Sequence, residues 1–309
     1  MNEPIFKHGV SEFVKSIINV SKTYGFKKAF RRSICIFMQK IVGPPRGELL
    51  ITTRNGYRMF LIPHDRGIST ELRTFKVHEP LTTKILIKEL KEGMTVIDVG
   101  SNIGYYVILG SKLVGKKGMV VAIEPIPTNF RYLLLNIKTN HLSNVKTFNV
   151  ALSEREGIIK MINDNYSNWS RVLSNEDQTI KPIKIEEVKA TTGDILLESI
   201  DNIGLIRMDV EGHEDYIIKG CREVIRKWLP DILIEVHSSL LGVERLQNLL
   251  YKFKQNGYLI KYLIPRDLDF LLVANDENIE AIDINKLIIS PITWGDFTLF
   301  MQHSLKFDQ

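Results

Sequence analysis

The pattern of apolar and polar positions predicts strands that alternate with helices from about residue 95 onward. Five short apolar runs have the length and composition of strands: TVIDVG at 95–100, MVVAIEP at 119–125, VKTFNVA at 145–151, LIRMDV at 205–210 and DILIEVH at 231–237. Helical segments separate most of these runs, and two further strand-like runs, YLIKYLI and FTLFMQ, follow residue 257. This order predicts an α/β fold with a mostly parallel sheet that is covered by helices on both faces.

Two amphipathic helices are predicted within the first 47 residues. Their apolar positions recur every three or four residues in two series, first Phe13, Ile17, Val20 and Tyr24, then Phe30, Ile34, Phe37 and Ile41. Gly25 separates the two helices, and Gly43-Pro44-Pro45 ends the second.

A β-hairpin is predicted next, because Asn55-Gly56 divides two β-rich runs within LLITTRNGYRMFLI at 49–62. We therefore expect a basic helical leader at 1–47 and one larger domain at 48–309. The expected parts of that domain are the hairpin segment at 48–77, a cofactor-binding core at 78–240 and the C-terminal strands of the sheet at 241–309.

Composition narrows the class of protein. Of 309 residues, 44% are hydrophobic and 25% are charged, as in ordinary globular proteins. No apolar run approaches the roughly 18 residues of a membrane span, and the first residues lack the pattern of a secretory signal. Cys35 and Cys221 are far apart, so we expect reduced thiols in a cytoplasmic protein rather than a disulfide or a cysteine zinc site.

The net charge of +5 is unevenly distributed, since residues 1–47 carry +7 and the other 262 residues carry −2. The basic character therefore belongs to the leader. Its helices have three candidate partners: the body of the protein or a second subunit, an anionic membrane surface, and nucleic acid. The pattern favours packing first and membrane contact second. Nucleic acid ranks last, because aromatic residues do not interleave with the basic ones.

A turn that contains glycine follows the first strand of the sheet. The sequence VIDVGSNIGYY has four notable residues at alternate positions: Asp98, Gly100, Asn102 and Gly104. A helix begins there, and its first N–H groups can receive an anion. Asn102 stands where the dinucleotide pattern G-x-G-x-x-G has the glycine that admits a pyrophosphate, which disfavours NAD and FAD. A P-loop is excluded because no Gly-Lys-Ser/Thr follows.

Glu124 closes the second strand, 24 residues after Gly100. A carboxylate at this point can accept hydrogen bonds from both hydroxyls of a ribose. S-adenosylmethionine is a nucleoside without a pyrophosphate, and it fits the combination of the glycine turn and Glu124. Asp98 is a candidate acceptor for its ammonium group. The alternatives are an ordinary strand-to-helix turn at the glycines and a solvated strand end at Glu124.

Six stretches of the chain together resemble the FkbM family of S-adenosylmethionine-dependent methyltransferases. They are HEPLTTKILIKELKEGMTVIDVGSNIGYY (78–106), AIEPIPTNFRYLLLNIKTN (122–140), NVALSEREG (149–157), TTGDIL (191–196), LIRMDVEGHE (205–214) and ILIEVH (232–237). The resemblance implies a class I, Rossmann-like methyltransferase with a sheet of seven strands, the last of them antiparallel. It also implies an O-methyltransferase that acts on hydroxyl groups of sugars, glycolipids or secondary metabolites.

The resemblance also implies the cofactor-binding residues, which are Glu79, Asp98, Gly100, Asn102, Gly104, Glu124, Asn149 and Ala151. The turn residues would line the methionine end and Glu124 would hold the ribose. The edge from Asn149 to Ala151 would border the adenine, and Glu79-Pro80 would close the pocket. The chain departs from the family pattern at Gly193-Asp194, and the leader has no counterpart in it.

Carboxylates cluster at the end of the strand at 205–210, in the run DVEGHE. In the expected strand order this end lies beside Asp98. We therefore expect Asp209 or Glu211 to orient and deprotonate an acceptor hydroxyl, with His213 as a less favoured base. The same carboxylates could instead cap a helix or shape the loop.

Two further features concern buried charge. Arg207 interrupts an apolar strand, and we expect it to face an acidic partner or a substrate group, with Glu235 as the candidate residue. A Mg²⁺ site at Asp209, Glu235 and His237 is less favoured than pairing between Glu235 and His237, so no metal is predicted.

The acceptor is predicted only as a hydroxyl of a small molecule or glycan. Methylation of an amine, and an inactive cofactor-binding module that docks a partner, remain as alternatives. The interruption at 157–190, with Tyr166, Trp169 and Arg171, is expected to form part of the acceptor pocket or a lid.

Overall fold

The computed structural model describes residue 21 and residues 25–163, 167–173, 184–269, 284–289 and 296–306. Tyr166 and, apart from Ser21, the predicted first leader helix lie outside these residues. In chain order the α-helices are α1 (Phe26–Val42), α2 (Ile68–Phe75), α3 (Pro80–Glu89), α4 (Tyr105–Val114), α5 (Pro127–Thr139), α6 (Gly193–Leu196), α7 (Glu214–Gly220), α8 (Arg222–Trp228), α9 (Ser238–Gln255), α10 (Arg266–Asp269) and α11 (Ile284–Ile289). The strands are β1 (Leu49–Thr52), β2 (Arg58–Leu61), β3 (Thr95–Val99), β4 (Met119–Ile123), β5 (Val145–Phe148), β6 (Ala151–Leu152), β7 (Gly157–Asn163), β8 (Arg171–Val172), β9 (Lys184–Thr191), β10 (Ile203–Met208), β11 (Asp231–Val236), β12 (Tyr258–Pro265) and β13 (Phe297–His303).

Seven strands form the central sheet, in the order β12-β13-β11-β10-β3-β4-β5. β3, β4, β5, β10 and β11 are parallel to one another, whereas β13 is antiparallel to both of its neighbours. β12 therefore runs in the same direction as the five parallel strands. The sheet is mixed, with one reversed strand among the seven.

Helices cover both faces of the sheet, and alternate residues of the inner strands enter two separate cores. In β4, Val120 and Ala122 join one core, while Val121 and Ile123 join the other. The first core includes residues of α2 to α5, and the second includes residues of α7 to α9. Burial on both faces explains why the strand sequences are apolar runs rather than alternating patterns.

Of the elements predicted before the sheet, the second leader helix and the hairpin are present, whereas α2 was not predicted. Gly25 and Gly43 bound α1, and both have positive φ angles, of 83° and 63°. β1 and β2 pair as an antiparallel hairpin around Asn55-Gly56. Among the described residues, every helix is too short or too polar to cross a lipid bilayer.

A second, smaller sheet occupies the interruption that follows β5. Its four strands have the order β6-β9-β7-β8, and a single 3₁₀ turn at Ser167–Trp169 precedes β8. This sheet has its own small core around Met161 and Val188. It supplies one wall of the cleft described below.

The strand register brings the polar residues of several strands to one edge. Val99 pairs with Ile123 on one side and with Met208 on the other, and Met208 pairs with Ile234. The residues that follow each of these positions therefore meet at the carboxyl edge, where ligands bind in such folds.

Candidate active site

A cleft lies at the carboxyl edge of β3 and β4. The ends of these strands line one side of it, and the small sheet contributes Ala151, Met161 and Val172 to the other. Asp209, Glu211 and His213 approach it from the loop after β10. Trp169 is 54% exposed and is absent from the lining.

The glycine turn after β3 is shaped by close packing. Gly100 and Gly104 have φ angles of 77° and 92°, and a Cβ atom at Gly100 would collide with the carbonyl oxygen of Asp209. Each backbone N–H from Gly100 to Gly104 donates a hydrogen bond within the protein. The amides of the turn are therefore already paired within the protein.

Glu124 is buried at the end of β4 and lines the cleft. Its carboxylate accepts hydrogen bonds from the backbone N–H groups of Asn102, at 2.8 Å, and Ile126, at 2.9 Å. Burial raises the pKa of Glu124 to about 7 despite these bonds. The alternative of a solvated strand end is wrong, since the residue is only 4% exposed.

A buried ion-pair cluster joins β3 to β10. Arg207 and Asp98 are register partners, and Arg207 donates to Asp98 Oδ1 at 3.0 Å and to Asp209 Oδ2 at 3.1 Å. Its guanidinium also lies 4.3 Å from the ring centroid of Tyr106. Burial alone would lower the pKa of Arg207, but Asp98 and Asp209 outweigh it and hold that pKa above its usual value. The candidate partner Glu235 is not the one that Arg207 contacts.

His237, directly after β11, is surrounded by carboxylates. Its Nδ1 lies 2.8 Å from Glu214, and its Nε2 lies 3.3 Å from Glu211 and 3.9 Å from Asp209. Burial would lower the pKa of His237, but Glu211 and Glu214 raise it well above its usual value. Burial raises the pKa of Glu211, whose φ of 51° is in the left-handed region.

Arg266 is the site residue that the sequence did not reveal. It follows β12 directly and makes ion pairs with Glu79 and, at 3.0 Å, with Glu235. Glu79 also accepts a hydrogen bond from the Tyr106 hydroxyl at 2.7 Å. Burial would raise the pKa of Glu79, but the charges of His78 and Arg266 outweigh it and lower that pKa.

Three predicted site residues lie apart from this charged cluster. His213 contacts Ser153 at 3.0 Å and stacks on Tyr216, and burial lowers its pKa to about 4. Asn149 donates to the carbonyl oxygen of Glu124 at 2.8 Å, so it holds the loop after β4 and is absent from the cleft lining. Gly104 is also absent from the lining and packs against Leu133.

Two groups of described side chains lie close enough to share a metal ion. They are Asp209, Glu211 and His237 in one group, and Glu79, Asp209 and Glu235 in the other. Most of these carboxylates already form ion pairs with arginine. Asp209 pairs with Arg207, and Glu79 and Glu235 pair with Arg266.

The residues at this edge fit S-adenosylmethionine. Asp98 Oδ2 is buried and accepts no hydrogen bond from the described residues, so a second acceptor oxygen remains for an ammonium group. Glu124 presents a buried carboxylate in the neighbouring cleft. Asp98 and Asp209 share the guanidinium of Arg207, and Asp209 also lies 3.9 Å from His237 Nε2.

The sheet order, with its one reversed strand, and the cleft at the ends of β3 and β4 define a Rossmann-like methyltransferase. Residues 98–268, more than half of the chain, match the family described as the methyltransferase FkbM domain. The chain belongs to the FkbM methyltransferase family, and the predicted resemblance is confirmed. It is an enzyme that takes its methyl group from S-adenosylmethionine.

Two curated relatives are similar to parts of the chain. Hexuronic acid methyltransferase AglP of Haloferax volcanii is 26% identical over 191 residues, which cover 61% of this chain and 74% of the relative. Protein-L-isoaspartate O-methyltransferase 1 of Archaeoglobus fulgidus is 33% identical over 69 residues, which cover 22% of this chain and 30% of the relative.

Solved structures include a similar methyltransferase FkbM from Methylobacillus flagellatus KT, with 13% identity and a TM-score of 0.38. The match covers 95% of this chain and 60% of that chain, so this chain spans about three fifths of its length. A putative methyltransferase of Streptococcus mutans in complex with SAH has 9% identity and a TM-score of 0.40, over 72% of this chain and 96% of that chain.

Proposed function

We propose that the enzyme methylates a hydroxyl group of a sugar, a glycolipid or a secondary metabolite. The observation that carries this proposal is the placement of Glu211 beside His237 and Asp209, at the mouth of the cofactor cleft. A hydroxyl acceptor needs a group that takes its proton, and this cluster offers one. The hexuronic acid methyltransferase among the relatives supports a sugar acceptor.

In this proposal Glu211 accepts the proton of the acceptor hydroxyl. S-adenosylmethionine supplies an electrophilic methyl group on a cationic sulfur. Burial raises the pKa of Glu211 above its usual value, which makes its carboxylate a stronger base. His237 contacts Glu211 through Nε2 and is fixed by Glu214 through Nδ1. Asp209 is held by Arg207, so it orients the acceptor and is the alternative base.

The proposed cofactor contacts follow the same geometry. Asp98 would accept the ammonium group through its unpaired oxygen, and Glu124 would accept the ribose hydroxyls. Asn102 positions Glu124 through its backbone N–H. Ala151 would border the adenine, while Glu79 would close the pocket together with Arg266.

Methyl transfer from labelled S-adenosylmethionine to a panel of hexuronic acids, neutral sugars and glycolipids tests this function. We expect label in a methyl ether of a panel member. Label on an amine, or cofactor binding without transfer to any cellular extract, would contradict the proposal. The same assay with EDTA should give unchanged turnover, because Arg207 and Arg266 already pair with Asp209, Glu79 and Glu235, most of the carboxylates that could ligate a metal.

Affinity for the cofactor should fall as the pH is lowered through 7. Only an ionised Glu124 can accept from both ribose hydroxyls, and this carboxyl takes up a proton below its raised pKa of about 7. Calorimetry between about pH 8 and pH 6 should show up to roughly tenfold weaker binding per pH unit at the acid end. An analogue without both ribose hydroxyls should bind with no such dependence, and a flat profile for the cofactor itself would remove Glu124 from this role.

A further inference from the structure

Helix α1 displays an apolar stripe toward solvent. Its members are between 39% and 68% exposed and recur at helical spacing: Phe26, Phe30, Ile34, Met38 and Ile41. The opposite side, with Ala29, Ser33 and Cys35, is buried. As far as the structure describes the body of the protein, the body leaves this stripe uncovered, and packing on a second subunit stays a prediction.

The stripe is held in a fixed position. α1 packs against α2 and α10. Arg73 of α2 donates hydrogen bonds to the carbonyl oxygens of Val42, Gly43 and Pro44, at 3.0, 3.0 and 2.7 Å. These bonds cap the end of α1 and tie it to the domain. Among the described residues, α1 is therefore held with this apolar stripe uncovered.

The surroundings of the stripe are basic. Between Phe26 and Gly47 the chain has no acidic side chain, and Lys27, Arg31 and Lys40 are exposed on α1. At the C-terminal end of the helix, an open cleft of about 1050 Å³ is lined by Arg46, His64 and Arg73. An apolar stripe flanked by lysine and arginine is the pattern of a helix that lies in a membrane interface.

We propose that α1 binds the surface of an anionic lipid bilayer, with its apolar stripe inserted among the acyl chains and its basic residues on the headgroups. The charge around the stripe distinguishes between a lipid surface, a second copy of the chain and nucleic acid as its binding partner. A second copy of the chain would bring two basic faces together, which repels, whereas anionic lipids complement them. Nucleic acid would match the charge but leave the stripe exposed to water. This inference does not depend on the proposed acceptor.

The location suits an enzyme that works at a membrane. α2 and α10, on which α1 packs, carry Glu71, Arg266 and Asp269. Glu71 contacts His78, and Arg266 contacts Glu79, so both helices contribute to the charged network of the active site. Docking through α1 would hold that network close to a lipid-borne acceptor.

Vesicle flotation of the full chain tests the proposal. We expect binding to vesicles that combine phosphatidylcholine with phosphatidylglycerol, no binding to phosphatidylcholine alone, and release at high salt. The variant F30S/I34S/I41S should bind about tenfold less or worse, and K27Q/R31Q/K40Q should lose binding similarly. The control I158S/I185S removes exposed apolar residues from β7 and β9 and should bind as the wild type does.

All variants should retain wild-type affinity for S-adenosylmethionine, which verifies the fold without any acceptor. The proposal is overturned if the wild type ignores anionic vesicles, or if the stripe variant binds them equally well. It is also overturned if the wild type forms a dimer that the stripe variant abolishes and neither binds lipid. Loss of vesicle binding with intact methyl transfer to a free sugar separates this inference from the proposed function.

Discussion

Replacing Glu211 by glutamine is expected to lower kcat by about 10² to 10⁴-fold, the usual contribution of a general base. Glutamine keeps the size of the side chain but cannot take a proton from the acceptor. The Km for the cofactor should change little, because Glu124 and Asp98 are left intact. Steady-state kinetics with saturating acceptor would measure the effect.

Two further variants are needed to interpret the effect of Glu211→Gln on kcat. Glu223→Gln removes an exposed carboxylate on α8 and should leave kcat unchanged. Asp209→Asn tests the alternative base at the same edge. If both Glu211→Gln and Asp209→Asn retained near wild-type turnover, the assignment of proton transfer to this carboxylate cluster would be wrong.

Replacing Arg207 by methionine should cause the largest loss of stability, about 3–5 kcal/mol of unfolding free energy. The substitution leaves Asp98 and Asp209 without the guanidinium that neutralises them, and Asp98 is 2% exposed. Urea denaturation, followed by circular dichroism, measures the change. Arg226→Met is the matched control, because Arg226 pairs with Glu223 at the surface and should cost about 1 kcal/mol or less.

A double variant separates charge from packing. Arg207→Met combined with Asp98→Asn removes one of the stranded carboxylates, so it should recover about 1 kcal/mol or more of the lost stability. An equal or larger loss in the double variant would mean that Arg207 stabilises the sheet by packing on Tyr106 rather than by its charge.

The parallel part of the sheet and its functional edge could be predicted from sequence. The strands β3, β4, β10 and β11 are short apolar runs, and each has a polar residue within two positions of its end. Because parallel strands end at one edge, this order alone placed Asp98, Glu124 and Asp209 near one another.

The partners of the buried charges could not be predicted in the same way. An arginine within an apolar strand predicts a carboxylate partner, but it does not say which one. The pairing with Asp98 rather than Glu235 depends on strand register, which a shift of one residue would change. Arg266 was not predicted as a site residue, because it lies at this edge only if β12 is parallel to β11. β12 has that direction because β13, which lies between them, is antiparallel to both.

The exposed face of α1 shows a different limit. Apolar residues at helical spacing predict a helix equally well whether the apolar face packs on protein or meets a lipid surface. Only the burial of Ala29, Ser33 and Cys35 on the other side distinguishes these cases.

The ion pair between Glu79 and Arg266 joins positions 187 residues apart, and Asp269 holds the start of α3 across a similar separation. During synthesis on the ribosome, the early strands emerge long before Arg266 and Asp269. These contacts between the start of α3 and α10 can therefore form only after β12 and α10 have been made.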